Sequence, residues 1–273
     1  MSKARYVLYH ANCPDGFGAA YAAWKKFGEG THYVPVSHGA PPPELKNHSE
    51  VYIIDFAYDR ETLIAMNEGH EVKVLDHHRS AEAQLQGLDF VEFDMHRSGA
   101  VMAWQYFHPD TDVPLLLQYV QDQDLWNWEL PDSQAICTAL NIYPFDFEVW
   151  DQLTVDALRK EGQVVLRYKE QLMDRLLKKV DWFEIDGHKV PAINTPLFAS
   201  ELGNQLCLDY PEAPFAVCYA DHEDKRKFSL RSVGDFDVSA VAGTFGGGGH
   251  RNASGMAIPL EGHAKVKRLS PEN

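Results

Sequence analysis

A carboxylate followed by two imidazoles, Asp76-His77-His78, closes the short apolar run Glu71-Val72-Lys73-Val74-Leu75. Aspartate and histidine are the usual oxygen and nitrogen donors to divalent cations. Two other apolar runs end in the same way. Arg5-Tyr6-Val7-Leu8-Tyr9 leads into His10 with Asp15 just beyond, and Val51-Tyr52-Ile53-Ile54 leads into Asp55. Each alone reads as an ordinary polar strand terminus. Their joint occurrence points to a metal site, because an open α/β sheet gathers ligands in the crevice at the carboxyl ends of its strands. Adjacent histidines on an extended chain point opposite ways, so at most one of His77 and His78 is expected to join Asp76 without a bend.

Carboxylates mixed with imidazoles favour Mn²⁺ or Mg²⁺, with Co²⁺ or Fe²⁺ as further options. Several converging carboxylates repel one another without cations, and two ions sharing a bridging aspartate relieve that repulsion. Two ions about 3.5–4 Å apart activate a water and clamp a phosphoryl group, so the expected reaction is phosphoester or phosphoanhydride hydrolysis.

A second constellation lies near the other end, Phe245-Gly246-Gly247-Gly248-Gly249-His250-Arg251-Asn252-Ala253-Ser254-Gly255. Glycines allow close backbone approach and an anion-binding nest of N–H groups, and His250 and Arg251 add donors suited to phosphate. The spacing is not that of a dinucleotide-fold fingerprint. In Asp122-Gln123-Asp124-Leu125-Trp126 the aspartates read, by themselves, as helix-end caps, and Trp126 and Trp128 as packing residues. His96-Arg97-Ser98-Gly99-Ala100 reads as a helix start capped by Ser98, which is also carried as a candidate substrate contact. His32, His38, His48, His70, His108, His188, His222 and His263 lack ligand company and read as surface or loop residues.

The elements that must position these groups alternate. Helices are expected from Gly16 to Trp24, from a cap at Asp59 to Gly69, and from Ala100 to Phe107, between strands that include Tyr33-Val34 and Phe90–Phe93. Strands separated by helices imply right-handed crossovers and a parallel sheet. A long amphipathic helix follows, Val155 to Val180, and then hairpins: Asp186-Gly187 is a strong turn signal, and Phe215–Tyr219 is expected to pair with Lys227–Arg231 across a tip at Asp221–Arg226. The expected organisation is α/β throughout: a catalytic domain over 1–150 with a parallel sheet flanked by helices, a helical linker over 151–180, and a smaller α/β substrate-binding domain over 181–273.

Hydrophobic residues make up 45% of the 273, enough for real cores. The formal net charge of -15 argues against a coat for long duplex nucleic acid, while leaving room for a small phosphate ligand held by a few cations. Cys13, Cys137, Cys207 and Cys218 lie far apart, which fits a reducing compartment rather than a disulfide framework or zinc finger. With no signal peptide or membrane span legible, a soluble cytoplasmic protein is expected.

Taken together, these motifs resemble the DHH phosphoesterase family, whose eponymous motif is Asp76-His77-His78; the Gly246–Gly255 run resembles the signature of the DHH-associated C-terminal domain. The matches follow the family's order over nearly the whole chain. The resemblance implies metal ligation by His10, Asp15, Asp55, His77 and an aspartate of the Asp122–Asp124 motif, with Asp122 preferred. It implies Asp55 as the bridging ligand, and Asp76 and His78 as catalytic residues that support the site or touch the scissile phosphate. Arg231, Gly248, Gly249, His250 and Arg251 would hold substrate. Many members carry two aspartates separated by one residue in the first motif; here only Asp15 is present, and Cys13 or a water would take the missing place. The function expected is a Mn²⁺-dependent two-metal phosphodiesterase (Mg²⁺ or Co²⁺ as alternatives) cleaving dinucleotides such as pGpG or pApA, or other short oligonucleotides, in a cleft between domains. The alternatives are a nucleoside 3′,5′-bisphosphate phosphatase or exopolyphosphatase, and a catalytically silent nucleotide sensor. No membrane or long-duplex partner is expected, and a homodimer is left open.

Overall fold

The computed structural model describes residues 3–37 and 39–270, so His38 lies outside the described residues. The chain divides into two compact units, Met1–Arg167 and Tyr168–Asn273. In the first unit the order is β1 (Arg5–His10), α1 (Pro14–Phe27), β2 (His32–Val36), β3 (Glu50–Ile54), α2 (Arg60–Gly69), β4 (Glu71–Asp76), α3 (Arg79–Leu85), β5 (Val91–Phe93), α4 (Gly99–Phe107), α5 (Leu115–Asp124), α6 (Ser133–Leu140), α7 (Phe147–Gln152) and α8 (Val155–Leu176). Its strands form a parallel sheet in the order β2-β1-β3-β4-β5.

The strands are apolar on both sides because both faces are covered. Val7, Tyr9, Ile54 and Leu75 pack under α1, α4 and α5, while Leu8, Ile53, Val72 and Val74 pack on the other face with Leu63 and Met66 of α2. α1 begins with Pro14 in its first turn, where a missing N–H costs nothing, and ends at Gly28, whose positive φ (64°) favours glycine. Its small residues let it approach α4 closely: a Cβ on Gly18 would lie 3.0 Å from that of Ala100. α2 starts where Asp59 accepts the Thr62 N–H at 2.9 Å, and α4 where the Ser98 hydroxyl accepts that of Val101 at 3.4 Å.

The second unit comprises the end of α8 followed by β6 (Asp181–Ile185), β7 (His188–Asn194), α9 (Ala199–Asp209), β8 (Ala216–His222), β9 (Lys225–Arg231), α10 (Val238–Gly243), β10 (Gly248–His250), β11 (Ala253–Pro259) and β12 (Val266–Leu269). These strands form a mixed sheet, β10-β11-β9-β8-β7-β6-β12, in which only β7 and β8 run parallel among the described residues. Asp186 and Gly187 both take positive φ, 48° and 84°, as a type I′ hairpin turn demands.

Three expectations of the sequence shift. The long helix stops at Leu176 rather than Val180, because the chain must turn into β6 at Asp181. The β8–β9 tip is tighter than Asp221–Arg226, since pairing continues to His222 opposite Lys225. Two histidines expected to be idle are tied into the fold: His108 Nε2 lies 2.9 Å from the Ala22 carbonyl, and His70 Nδ1 accepts the Ser49 N–H at 3.3 Å. Among the described residues, no helix is long and apolar enough to cross a membrane.

Candidate metal centre

The ends of β1, β3 and β4 lie side by side, so His10, Asp55 and Asp76-His77-His78 arrive at one edge of the sheet. Asp55 leaves β3 with φ 63°, a conformation that costs a non-glycine residue free energy and persists only when its surroundings enforce it. Its N–H is held by the Leu75 carbonyl at 3.0 Å. Both carboxylate oxygens then face histidines: Oδ1 is 3.1 Å from His77 Nε2, and Oδ2 is 3.4 Å from His10 Nδ1.

Asp15, from the first turn of α1, reaches the same place and is almost fully buried. It accepts the N–H groups of Gly99 (2.6 Å) and Ala100 (2.9 Å), the positive end of α4, and lies 3.6 Å from His77 Nε2. Two glycines make this crowding possible. A Cβ on Gly99 would sit 2.6 Å from the Asp55 Cβ, and one on Gly16 would sit 2.3 Å from the His10 carbonyl oxygen. Sequence reasoning missed both, although Asp15-Gly16 and Ser98-Gly99 each place a glycine beside a candidate polar residue. From α5, Asp124 brings Oδ2 to 3.4 Å from His77 Nε2.

Burial and the charges of Asp55 and Asp124 push the Asp15 carboxyl well above its usual range. Burial also lifts Asp124, to about 6, against the pull of His77. Asp55 goes the other way: burial opposes its charge, but the adjoining His10 and His77 imidazoles outweigh it and hold the carboxyl far below the usual range. Burial likewise disfavours charge on His77, yet Asp55, Asp124 and Asp15 raise it to about 10. A proton on His77 therefore partly neutralises the carboxylates, in the place a cation would take.

The residues fit a divalent ion. Asp15, Asp55 and His77 offer ligand atoms within 4.8 Å of one another, and so do His10, Asp55 and His78. His10 Nδ1, Asp55 Oδ2 and Asp124 Oδ2 are buried without a hydrogen-bond partner. An unsatisfied buried polar atom costs about 1–3 kcal/mol, and three gathered in one place fit a cation. Cys13 is less suited to ligation: burial, then the charge of Asp55, pushes its thiol well up.

Several expectations need correction. The preference for Asp122 over Asp124 is reversed, because both Asp122 oxygens accept backbone N–H groups, Oδ1 from Glu129 (3.0 Å) and Oδ2 from Leu130 (3.2 Å). Asp76 is wholly buried behind the cluster, its Oδ1 bonded to the His77 and His78 N–H groups and 2.7 Å from His78 Nδ1. Those bonds bend the chain as it leaves β4, so both histidines reach the cluster instead of pointing apart. Ser98 is fully buried as the cap of α4, with its N–H on Gln121 Oε1 at 3.0 Å, and offers nothing to a substrate.

In the second unit the glycine run is a hairpin rather than an open nest. Gly248 and Gly249 belong to β10, opposite Gly255 and Ser254 of β11, and Arg251-Asn252 forms the turn after His250. Two of the glycines answer to packing: a Cβ on Gly247 would lie 2.1 Å from the Gly255 carbonyl oxygen, and one on Gly249 2.6 Å from that of Ala253. Arg251 donates Nε to the Asp235 carbonyl at 3.1 Å and Nη2 to its carbonyl and carboxylate. Arg231 is half-buried, bonded to the Leu230 carbonyl (2.8 Å) and Ser200 Oγ (2.7 Å).

Residues 199–269 match the DHHA1 domain. The chain is 33% identical over 284 residues to the uncharacterized protein R106 of Acanthamoeba polyphaga mimivirus, covering 92% of this chain and 67% of that protein. It is 26% identical over 310 residues to the oligoribonuclease NrnB of Bacillus subtilis, covering 97% and 77% respectively. The fold is shared with the pGpG-specific phosphodiesterase PggH of Vibrio cholerae, at a TM-score of 0.51 and 12% identity over 95% of this chain and 94% of that one. With its Asp76-His77-His78 motif, strand-end cluster and C-terminal DHHA1 domain, the chain belongs to the DHH family of phosphoesterases and is nanoRNase-like.

Proposed function

We propose that the protein is a two-metal, Mn²⁺-dependent phosphodiesterase that cleaves short linear oligonucleotides, dinucleotides such as pGpG or pApA above all, to mononucleotides. The observation that carries this reading is the convergence of His10, Asp15, Asp55, His77 and Asp124 with three buried atoms lacking partners. These five would hold the ions, with Asp55, which faces a histidine through each oxygen, as the shared ligand. Bound divalent ions supply Lewis acidity that lowers the pKa of a water and offsets phosphoryl charge. Asp76 orients His78 through Nδ1 and raises its pKa against the effect of burial, leaving the ring equipped to donate toward a phosphoryl oxygen. Arg231, His250, Arg251 and the β10 glycines would hold substrate phosphate. The similarity to an oligoribonuclease along nearly the whole chain supports the substrate class.

Length selectivity follows from charge. Each added nucleotide brings a phosphate toward a protein of net charge -15, whose candidate phosphate cations are few. The test is turnover by purified protein with Mn²⁺ on a panel of di- to heptanucleotides and a long single strand. Mononucleotides released fastest from dinucleotides support the proposal. Release of inorganic phosphate from a bisphosphate or polyphosphate, without cleavage of dinucleotides, would identify a phosphatase instead. Binding without turnover would identify a sensor.

A further inference from the structure

We propose that Asp122 is a positioning residue, whose main chain and carboxylate together fold the loop after α5 and thereby hold Asp124 in the metal cluster. The proposal rests on the reading of Asp124 as a ligand. Its own support comes from a set of bonds that chelates four consecutive residues. The Asp122 carbonyl, left over at the end of α5, accepts the N–H groups of Asn127 (2.9 Å) and Trp128 (3.4 Å). Its carboxylate accepts the next two, Glu129 at 3.0 Å and Leu130 at 3.2 Å, and the residue is only 5% exposed.

The loop so gathered is one the chain would not adopt unaided. Trp126 and Trp128 have φ of 59° and 55°. Left-handed backbone disfavours residues bearing a Cβ, and such conformations persist only where their surroundings over-determine them. The four bonds to Asp122 supply that determination. They also set the two indoles edge to face, with centroids 5.0 Å apart and planes at 75°. Asp124 lies between the clamp and the loop it closes, as the last residue of α5. Loss of the carboxylate would free the Glu129 and Leu130 N–H groups, let the loop relax toward right-handed backbone, and carry the end of α5 with it. Asparagine at this position retains one acceptor but sets an NH₂ against the other N–H.

The experiment compares Asp122→Asn with Asp124→Asn in the full chain. The Trp126–Trp128 exciton couplet in the far-ultraviolet circular dichroism of metal-free protein is assigned by its loss in Trp126→Phe. Mn²⁺ affinity and stoichiometry are then measured by calorimetry. Asp122→Asn is expected to lose the couplet and to bind Mn²⁺ about 10- to 100-fold more weakly, the range for residues behind a metal ligand, with unchanged stoichiometry. Asp124→Asn should keep the couplet and lose ligation directly. Trp126→Gly in the Asp122→Asn background relieves one left-handed residue and should restore part of the affinity. Asp122→Glu, with its charge kept and its side chain lengthened, serves if Asp122→Asn does not fold. A retained couplet with one ion fewer would make Asp122 a ligand and overturn the proposal, as would a lost couplet with unchanged affinity. Full Mn²⁺ binding by Asp124→Asn would instead overturn the reading of Asp124. The couplet, measured without metal, still reports the loop in that case.

Discussion

Replacing Gly99 with alanine perturbs the cluster without replacing any candidate ligand. The new Cβ would lie 2.6 Å from the Asp55 Cβ and 2.9 Å from Asp15 Oδ2, so the first contact falls 0.8 Å short of the 3.4 Å at which ordinary contact begins. Neither neighbour is a flexible tip: Asp55 is fixed at positive φ, and Asp15 is bonded to the N-terminus of α4. Either α4 or Asp55 must therefore move by most of that deficit, against the 3.1 Å and 3.4 Å separations that join Asp55 to His77 and His10. Overpacking of this size costs about 1–3 kcal/mol of stability, and misplacing reacting groups by about 1 Å costs about 100-fold in rate. Gly162→Ala is the control: its Cβ would meet the Ala135 carbonyl oxygen at 1.9 Å, a worse clash, but between α8 and α6. In a dinucleotide assay at saturating Mn²⁺, Gly99→Ala should lose about 100-fold in kcat/KM with a small fall in melting temperature. Gly162→Ala should lose melting temperature while its folded fraction keeps its specific activity. Gly99→Ala with kcat/KM within twofold of wild type would refute the argument that this glycine sets the spacing of the ligands.

Asp55→Asn removes the carboxylate proposed to be shared by two ions, and turnover should fall below a few per cent at saturating Mn²⁺; more would show that Asp55 is not the bridge. Arg251→Ala removes the proposed phosphate contact of the second unit, so kcat/KM should fall about 10- to 100-fold, chiefly through KM, with Mn²⁺ stoichiometry unchanged; metal loss in this variant would show the loop to be misassigned. Mn²⁺ affinity should rise roughly tenfold per pH unit between about pH 6.5 and 8.5. His77, with its pKa raised to about 10, holds a proton throughout that window and must release it to offer Nε2 to an ion. Calorimetry in buffers of different ionisation enthalpy would detect the released proton, and a flat profile with no release would refute it.

Much of the site was legible in the sequence because period and punctuation are local properties. Apolar runs cut short by His10, Asp55 and Asp76 mark strand ends, and a parallel sheet brings such ends together whatever lies between them. The Asp59 cap and the Asp186-Gly187 turn are equally local, each fixed by a few neighbouring dihedrals. Which of two nearby aspartates faces the cluster depends on how α5 ends, and only the fold fixes that: Asp122 is consumed by the Glu129 and Leu130 N–H groups, leaving Asp124 to turn inward. The paired entry of His77 and His78 likewise depends on Asp76 bending the chain, against the alternation of an extended strand. The glycines show the same division. The sequence marks positions where a side chain is missing, but whether that space serves a ligand, a helix or another strand is decided by whatever the tertiary structure brings against it. At Gly99 that is Asp55, and at Gly247 it is the backbone of β11.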